Sequence, residues 1–300
     1  MNRREFLKSA AATGAVLAFA PGLNPLAGPL EAAAAPDLCA VRGRVPADSV
    51  RAALDGLGGI RRFVSRGDIV VVKPNIGWDR TPEYAATTNP EVVSAVVRLC
   101  LEAGAKRVKV FDHTVADARR CYRQSGIADA AAAAGAEVSF IDDRKFKETQ
   151  IKGGTLKSWP LYTEALEADR FINLPIAKVH GTSTLTLGMK NLMGVMGGWR
   201  SRIHQRIDES LVDVAAFVKP ALVILDAVRI LTDNGPQGGD LKDVKRLNMV
   251  VAGRDQVAVD AFGATLFGLK PAELGFVRLG QQAGLGQMNL EKLTIRRIDL

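Results

Sequence analysis

The sequence contains few cysteines. There are three, Cys39, Cys100 and Cys121, and no two of them have the CxxC spacing. Iron–sulfur clusters and structural zinc sites are held by closely spaced cysteines, so neither kind of site is encoded. Cys100 lies in an apolar helical pattern and is expected in the core. A disulfide between Cys39 and Cys121 would require an oxidising compartment, and the sequence leaves that pairing open.

Aromatic residues and runs of basic residues are also scarce. Aromatic side chains make up 6% of the chain, with three tyrosines, and no run of five basic residues occurs. Lys and Arg nevertheless outnumber Asp and Glu by 40 to 32, which gives a net charge of +8. Nucleic-acid-binding proteins usually gather basic charge on one face beside aromatic platforms, so nucleic acid is not the predicted partner. A small anionic ligand fits the dispersed excess of basic residues better.

Several well-known catalytic motifs are absent as well. There is no GxSxG motif, which argues against a serine hydrolase of the nucleophile-elbow kind. There is no GxxxxGK followed by Ser or Thr, which argues against an ordinary nucleoside triphosphatase. The glycines of residues 56–59, GLGG, precede a predicted strand instead of following one, so they are not a dinucleotide-binding fingerprint.

The amino terminus has the features of an export signal. Residues 2–8, NRREFLK, match the twin-arginine pattern. The Ala-rich stretch 10–20 has about half of the roughly 20 apolar residues that span a bilayer, so no stable membrane span is expected in the mature chain. We predict a signal peptide over residues 1–35, cleaved near Ala34, with the twin-arginine export machinery as a partner and the periplasm or another extracytoplasmic space as destination. A disordered basic terminus is the other interpretation.

The remaining residues, 36–300, are predicted to form a single α/β domain. Short apolar runs such as IVVVK, residues 69–73, alternate with segments of helical periodicity. This alternation favours a mainly parallel sheet with helices on both faces, a Rossmann-like three-layer arrangement.

Polar side chains follow several of the predicted strands. Because the carboxyl ends of parallel strands meet at one edge of a sheet, such residues are expected to gather where α/β proteins bind ligands. The residues placed there by the pattern are Lys73, Asn75, Asp112, His113 and Asp226, with Asn234 in a Gly-rich loop further along. Each also has an ordinary interpretation, as a turn residue, a helix cap or a solvated side chain.

The stretch 171–204 mixes polar and apolar residues more closely than a core segment or a solvated loop does. Its candidate site residues are Lys178, His180, Lys190, Asn191, Arg200 and His204. Lys178 and His180 share a face in an extended segment. Lys190 is expected in a helix that begins near Leu185, close to the helix end that favours anions. The alternative is a buried helix in which Lys190 snorkels and the histidines are structural.

Four ordered segments carry a resemblance to a known family. They are residues 73–78 (KPNIGW), 174–194 (LPIAKVHGTSTLTLGMKNLMG), 222–239 (LVILDAVRILTDNGPQGG) and 251–268 (VAGRDQVAVDAFGATLFG). The chain resembles the domain of unknown function 362 family over most of its length after the leader. Some members of that family carry a ferredoxin-like cluster module that this chain lacks. The resemblance implies a fold and the position of a site, but it does not imply a reaction.

Two functions fit these residues. One is an enzyme that acts on an anionic small molecule, with Lys178, His180 and Lys190 catalytic and the other candidates binding the ligand. Neighbouring cations lower the pKa of a lysine, which suits a lysine base. The other is a non-catalytic exported binding protein or chaperone for an anionic ligand or cofactor, accessory to a redox system. A divalent metal on His180 and His204 is a weaker hypothesis, because no HxH or HExxH spacing occurs.

Overall fold

A computed structural model describes residues 35–300 of the chain. Residues 1–34, which hold nearly all of the predicted signal peptide and its cleavage region, lie outside the described part. Ala35–Leu300 forms one compact unit. Among these residues, no helix is both long enough and apolar enough to cross a membrane.

The described residues contain twelve strands. They are Leu38–Arg42 (β1), Ile69–Pro74 (β2), Arg107–Val110 (β3), Glu137–Val138 (β4), Phe146–Gln150 (β5), Ser158–Tyr162 (β6), Arg170–Leu174 (β7), Ile176–His180 (β8), Thr184–Thr186 (β9), Leu222–Leu231 (β10), Val244–Gly253 (β11) and Ile295–Asp299 (β12).

Helices connect most of these strands. The α-helices of the described part are Pro46–Gly56 (α1), Pro90–Glu102 (α2), Ala118–Gln124 (α3), Ile127–Ala133 (α4), Thr163–Leu166 (α5), Gly188–Asn191 (α6), Ile207–Val218 (α7), Gln256–Thr265 (α8) and Gly275–Gln282 (α9). Short 3₁₀ helices cover Ile60–Arg62, Pro82–Tyr84, Asp143–Lys145, Leu192–Val195, Arg200–Arg206, Leu241–Asp243, Pro271–Glu273 and Leu290–Lys292.

Ten strands form one mixed sheet. Its order is β12-β1-β11-β10-β7-β2-β3-β4, and β8 pairs with β10 and with β9. The pairs from β10 to β4 are parallel, and so are β1 with β12 and β8 with β10. Strand β11 is antiparallel to both neighbours, as is β9 to β8. Strands β5 and β6 form a separate antiparallel hairpin.

The sheet lies between two apolar layers, so its central strands are buried on both faces. In β2, Val70 and Val72 pack into a cluster that also holds residues of α1 and α2. The intervening Val71 packs into the opposite cluster, which holds residues of α7 and α8. The predicted α/β fold, a mainly parallel sheet with helices on both faces, is therefore confirmed.

Two predicted element boundaries were wrong, and both affect the site. The strand expected to end before Asp226 continues as β10 to Leu231, so Asp226 lies in mid-strand. The helix expected from Leu185 begins at Gly188, because β9 pairs residues 184–186 with β8 first. That helix, α6, has four residues, and Lys190 is the third of them.

Candidate functional site

A cavity of about 490 Å³ opens at the carboxyl ends of β2 and β3 and beside β8. Its wall contains ten of the twelve residues proposed from sequence: Lys73, Asn75, Asp112, His113, Lys178, His180, Lys190, Asn191, Arg200 and His204. Parallel strands bring the first four together, since β2 and β3 are adjacent and end at the same edge. Strand β8 follows β7 directly and carries Lys178 past that edge along β10.

Asp226 and Asn234 are not part of the cavity wall. Asp226 is fully buried within β10, and its carboxylate accepts hydrogen bonds from the backbone N–H groups of Asn89 at 2.7 Å and Val228 at 2.9 Å. Burial raises the pKa of Asp226 to about 6. The Asn234 amide donates to Asp243 at 2.8 Å. Both side chains thus hold the chain's own loops and strands together.

Lys73 and Asp112 form a buried ion pair at the base of the cavity. Nζ of Lys73 lies 2.7 Å from Oδ1 of Asp112, and the side chains are 1% and 4% exposed. Lys73 also donates to the carbonyl of Pro74 at 2.8 Å and to Oδ1 of Asn191 at 3.0 Å. Three acceptor oxygens therefore lie within 3.0 Å of Nζ of Lys73. A methyl group at Gly194 would overlap both members of the pair, so glycine is required there.

Three asparagines connect the strands beneath the cavity. Oδ1 of Asn191 accepts from Asn75 at 3.1 Å, and its amide donates to Asn173 at 2.9 Å. Asn173 in turn donates to the carbonyl of Gly188 at 2.8 Å. Sequence reasoning missed Asn173, although an amide inside the apolar strand β7 was a signal of such a network. A buried network with its polar groups satisfied fixes the orientation of each member.

Lys178 is buried but differs from Lys73 in its partners. Nζ donates to the carbonyl of Ala86 and, at 3.3 Å, to Oδ1 of Asn75. The structure gives Lys178 no carboxylate partner within the described residues. Burial, reinforced by the charge of Lys190, lowers the pKa of Lys178 to about 7. A large fraction of this amine is therefore neutral at neutral pH.

Lys190 lines the cavity, and its ammonium group has no partner within the described part of the chain. Its side chain is 8% exposed, and no hydrogen bond or ion pair to Nζ occurs among residues 35–300. Burial and the nearby charges of Arg200 and Lys73 lower the pKa of Lys190 to about 8. A buried cation normally has an anion beside it, because the unpaired charge is costly to desolvate.

Asp260 determines where Lys190 lies. Its fully buried carboxylate accepts from the N–H groups of Gly188 at 2.6 Å and Met189 at 2.8 Å, which start α6. A Cβ at Gly188 would approach Asp260 to 2.7 Å. Because Asp260 already accepts from these two N–H groups, they are not available to bind a ligand anion.

Arg200 and His113 join two segments of the cavity wall. The guanidinium of Arg200 donates to the carbonyls of His113 at 2.8 Å, Thr114 at 2.7 Å and Met193 at 3.4 Å. Nδ1 of His113 lies 2.8 Å from the carbonyl of Met196, so this nitrogen carries the proton. Burial, followed by the charge of Arg200, lowers the pKa of His113. These two residues mainly position the loops around the cavity.

His180 and His204 stack with ring centroids 6.0 Å apart. Nδ1 of His180 accepts from the N–H of Thr182 at 3.1 Å, so its proton is on Nε2. Nδ1 of His204 lies 3.1 Å from the carbonyl of Ser201, which leaves its Nε2 as an acceptor. Burial lowers the pKa of both rings, that of His180 to about 3. No group of three His, Cys, Asp or Glu side chains within residues 35–300 is placed to hold a metal, so the metal hypothesis gains no third ligand there.

The three cysteines are free and buried in the structure. Cys100 lies in the core as predicted, inside α2. The disulfide that the sequence left open between Cys39 and Cys121 is absent.

Comparison with known proteins supports the export signal and the family resemblance. A model of the twin-arginine translocation signal sequence matches residues 1–20, which indicates export across the membrane through that pathway. A thylakoid-associated protein of Synechocystis sp. is 31% identical over 245 residues, which cover 79% of this chain and 74% of that protein.

Two solved structures resemble this chain at a low level of similarity. The lactate racemase apoprotein of Thermoanaerobacterium thermosaccharolyticum has a TM-score of 0.45 at 11% identity, covering 76% of this chain and 56% of that one. A protein from Thermotoga maritima has a TM-score of 0.38 at 12% identity, covering 80% and 60%. The chain thus matches less than two thirds of either solved protein.

The family model described as domain of unknown function (DUF362) matches residues 70–265. This range contains every residue of the cavity wall. The chain belongs to the DUF362 family.

Proposed function

We propose that this protein is an exported enzyme that acts on an anionic small molecule. In this proposal Lys190 binds the anionic group of the substrate and Lys178 acts as the base. The observation that carries the proposal is the ammonium of the largely buried Lys190 side chain, which belongs to the cavity wall and has no partner among the described residues.

The charge balance of the wall supports an anionic ligand. Its lysine and arginine side chains are Lys73, Lys178, Lys190 and Arg200, whereas Asp112 is its carboxylate. Asp112 is already paired with Lys73, and Arg200 bonds to backbone carbonyls. The charge of Lys190 is therefore left to be balanced by a ligand, and a charge-assisted hydrogen bond is stronger than one between neutral groups.

The state of Lys178 supports catalysis beyond binding. A general base works best when its pKa is near the working pH, and the pKa of Lys178 is lowered to about 7. In this proposal His180, which the sequence analysis grouped with Lys178 and Lys190 as catalytic, does not exchange a proton with the substrate. His180 has a pKa of about 3, so it stays neutral and can offer its Nε2–H only as a hydrogen-bond donor.

The test is incubation of the mature protein with an extract of small anionic metabolites, followed by mass spectrometry. The proposal predicts that one class of anion is depleted by wild type and not by Lys178→Met. The exposed Lys242→Met variant, whose side chain is 76% exposed, serves as the control and should behave as wild type.

Protein recovered from the same extract distinguishes the alternatives. If an anion is retained by wild type and lost from Lys190→Met but nothing is depleted, the protein is a binding protein or chaperone. If no anion is retained or depleted, the proposed site is wrong.

A further inference from the structure

We propose that Lys178 is a nucleophile that condenses with the carbonyl group of an anionic aldehyde or ketone to form an imine. This inference rests on the proposed function and deepens it by naming the substrate class. The substrate would carry a carboxylate or phosphate paired with Lys190 and a carbonyl carbon within reach of Nζ of Lys178.

The hydrogen bonds of three buried lysines separate their roles. Lys73 has three partners, one of them the carboxylate of Asp112, so its amine is already engaged by the protein. Lys190 has none among residues 35–300 and remains available as a cation. Lys178 has two neutral acceptors, the carbonyl of Ala86 and Oδ1 of Asn75. Of the three, Lys178 is the one whose partners suit a neutral amine.

Nζ of Lys178 is tetrahedral. Its bond to Cε and its two hydrogen-bond acceptors take three of the four directions, so one direction remains. When the amine is neutral, its two N–H groups bond to Ala86 and Asn75, and the lone pair takes the remaining position. The orientation of Asn75 is fixed, because its amide donates to Asn191 at 3.1 Å while its Oδ1 faces Lys178 at 3.3 Å. Asn75 thus presents an acceptor, and not a donor, to the amine.

The proposed step needs no redox partner. The lone pair of Lys178 attacks the carbonyl carbon, and the carbonyl π bond breaks to give a carbinolamine. The C–O bond then breaks, the oxygen leaves as water with two protons from the amine nitrogen, and a carbon–nitrogen double bond remains. If the imine takes up a proton from solvent, its N–H can donate to the carbonyl of Ala86. A lysine activated by burial and a neighbouring cation is a recognised form of such a nucleophile.

Reductive trapping tests the imine directly. Mature protein is treated at pH 7 with glyoxylate, a small anionic aldehyde, and with cyanoborohydride, and the modified lysine is located by peptide mass spectrometry. At this pH the neutral fraction of a lysine with a pKa near 7 is on the order of 10³ times that of an exposed lysine. The expected result is modification of Lys178 well above that of Lys242.

A neutral aldehyde and a variant test the part assigned to Lys190. Acetaldehyde has the reactive carbonyl without the charge, so its reaction at Lys178 should be slower than that of glyoxylate. In Lys190→Met, glyoxylate should no longer react faster than acetaldehyde at Lys178. In Lys242→Met, glyoxylate should still react faster. Because the adduct is mapped in wild type, the proposal is testable even if a Lys178 variant fails to fold.

Glycolate separates failure of this inference from failure of the proposed function. It has the charge and nearly the size of glyoxylate, but it has no carbonyl to condense. Calorimetric binding of glycolate that depends on Lys190, without any trapping of glyoxylate at Lys178, would overturn the imine and leave an anion site. No glycolate binding and no adduct at Lys178 would overturn both.

Discussion

Replacing Lys190 with methionine tests the assignment of an unpaired cation. Methionine has a similar unbranched stem but no charge. The fall of the Lys190 pKa from 10.5 to about 8 corresponds to roughly 3 kcal/mol of unfavourable charge burial below pH 8. Because the unfolded chain binds the proton more tightly, this cost is present at pH 7 and declines as the pH rises from about 8 to 10.5.

Lys190→Met should therefore be more stable than wild type at pH 7 when no anion is present. With roughly 2–4 °C per kcal/mol for a chain of this size, the melting temperature should rise by several degrees. At pH 10.5 the two proteins should melt at more similar temperatures. Lys242→Met is the matched control, because its side chain is 76% exposed and its charge costs little to keep in water.

The same variant should bind anions more weakly. A hydrogen bond to a charged group contributes roughly 1.5–3 kcal/mol, so affinity for glycolate should fall by about 10- to 150-fold in calorimetric titrations. Unchanged affinity together with an unchanged or lower melting temperature would refute the reasoning. Lys190 would then be a snorkelling residue of a buried helix, as in the alternative interpretation of the sequence.

Three other perturbations have defined outcomes. Anion affinity of wild type should decline as the pH rises through about 8, where Lys190 loses its proton, and calorimetry that shows constant affinity from pH 6 to 10 would contradict this. Gly194→Ala should lower the free energy of unfolding, measured by denaturant titration, by roughly 3 kcal/mol or more, because the added methyl group overlaps Asp112. A decrease below about 1 kcal/mol would mean that the loop moves aside. Replacing Arg3 and Arg4 together with lysine should leave the protein in the cytoplasm, and fractionation that finds it exported would show that the leader acts otherwise.

Much of the fold could be predicted because local patterns agreed with the tertiary structure. The apolar run of β2 is buried on both sides, and Asn89, directly before Pro90, caps α2 by accepting from the N–H of Glu91 at 2.8 Å. Strand β1, residues 38–42, was not anticipated. It pairs with β11 and β12 from the far end of the chain, a contact that no local pattern encodes.

The site could be predicted in part for the same reason. Lys73 lies near the carboxyl end of β2 and Asp112 comes just after β3, so the parallel sheet places them together. Asp226 follows the same pattern but lies inside β10, since the strand length is set by pairing with β11 and not by its own residues. The sequence also did not separate Lys73, Lys178 and Lys190. Their different roles depend on which acceptors the fold places beside each ammonium.

The central claim is that Lys190 holds an anion in the cavity. A crystal structure of the mature protein soaked with selenate, whose selenium is located by its anomalous scattering, measures this most directly. We predict a selenate peak in the cavity with an oxygen within hydrogen-bond distance of Nζ of Lys190. A cavity without selenate, with Lys190 bonded to a carboxylate of the protein, would contradict the claim.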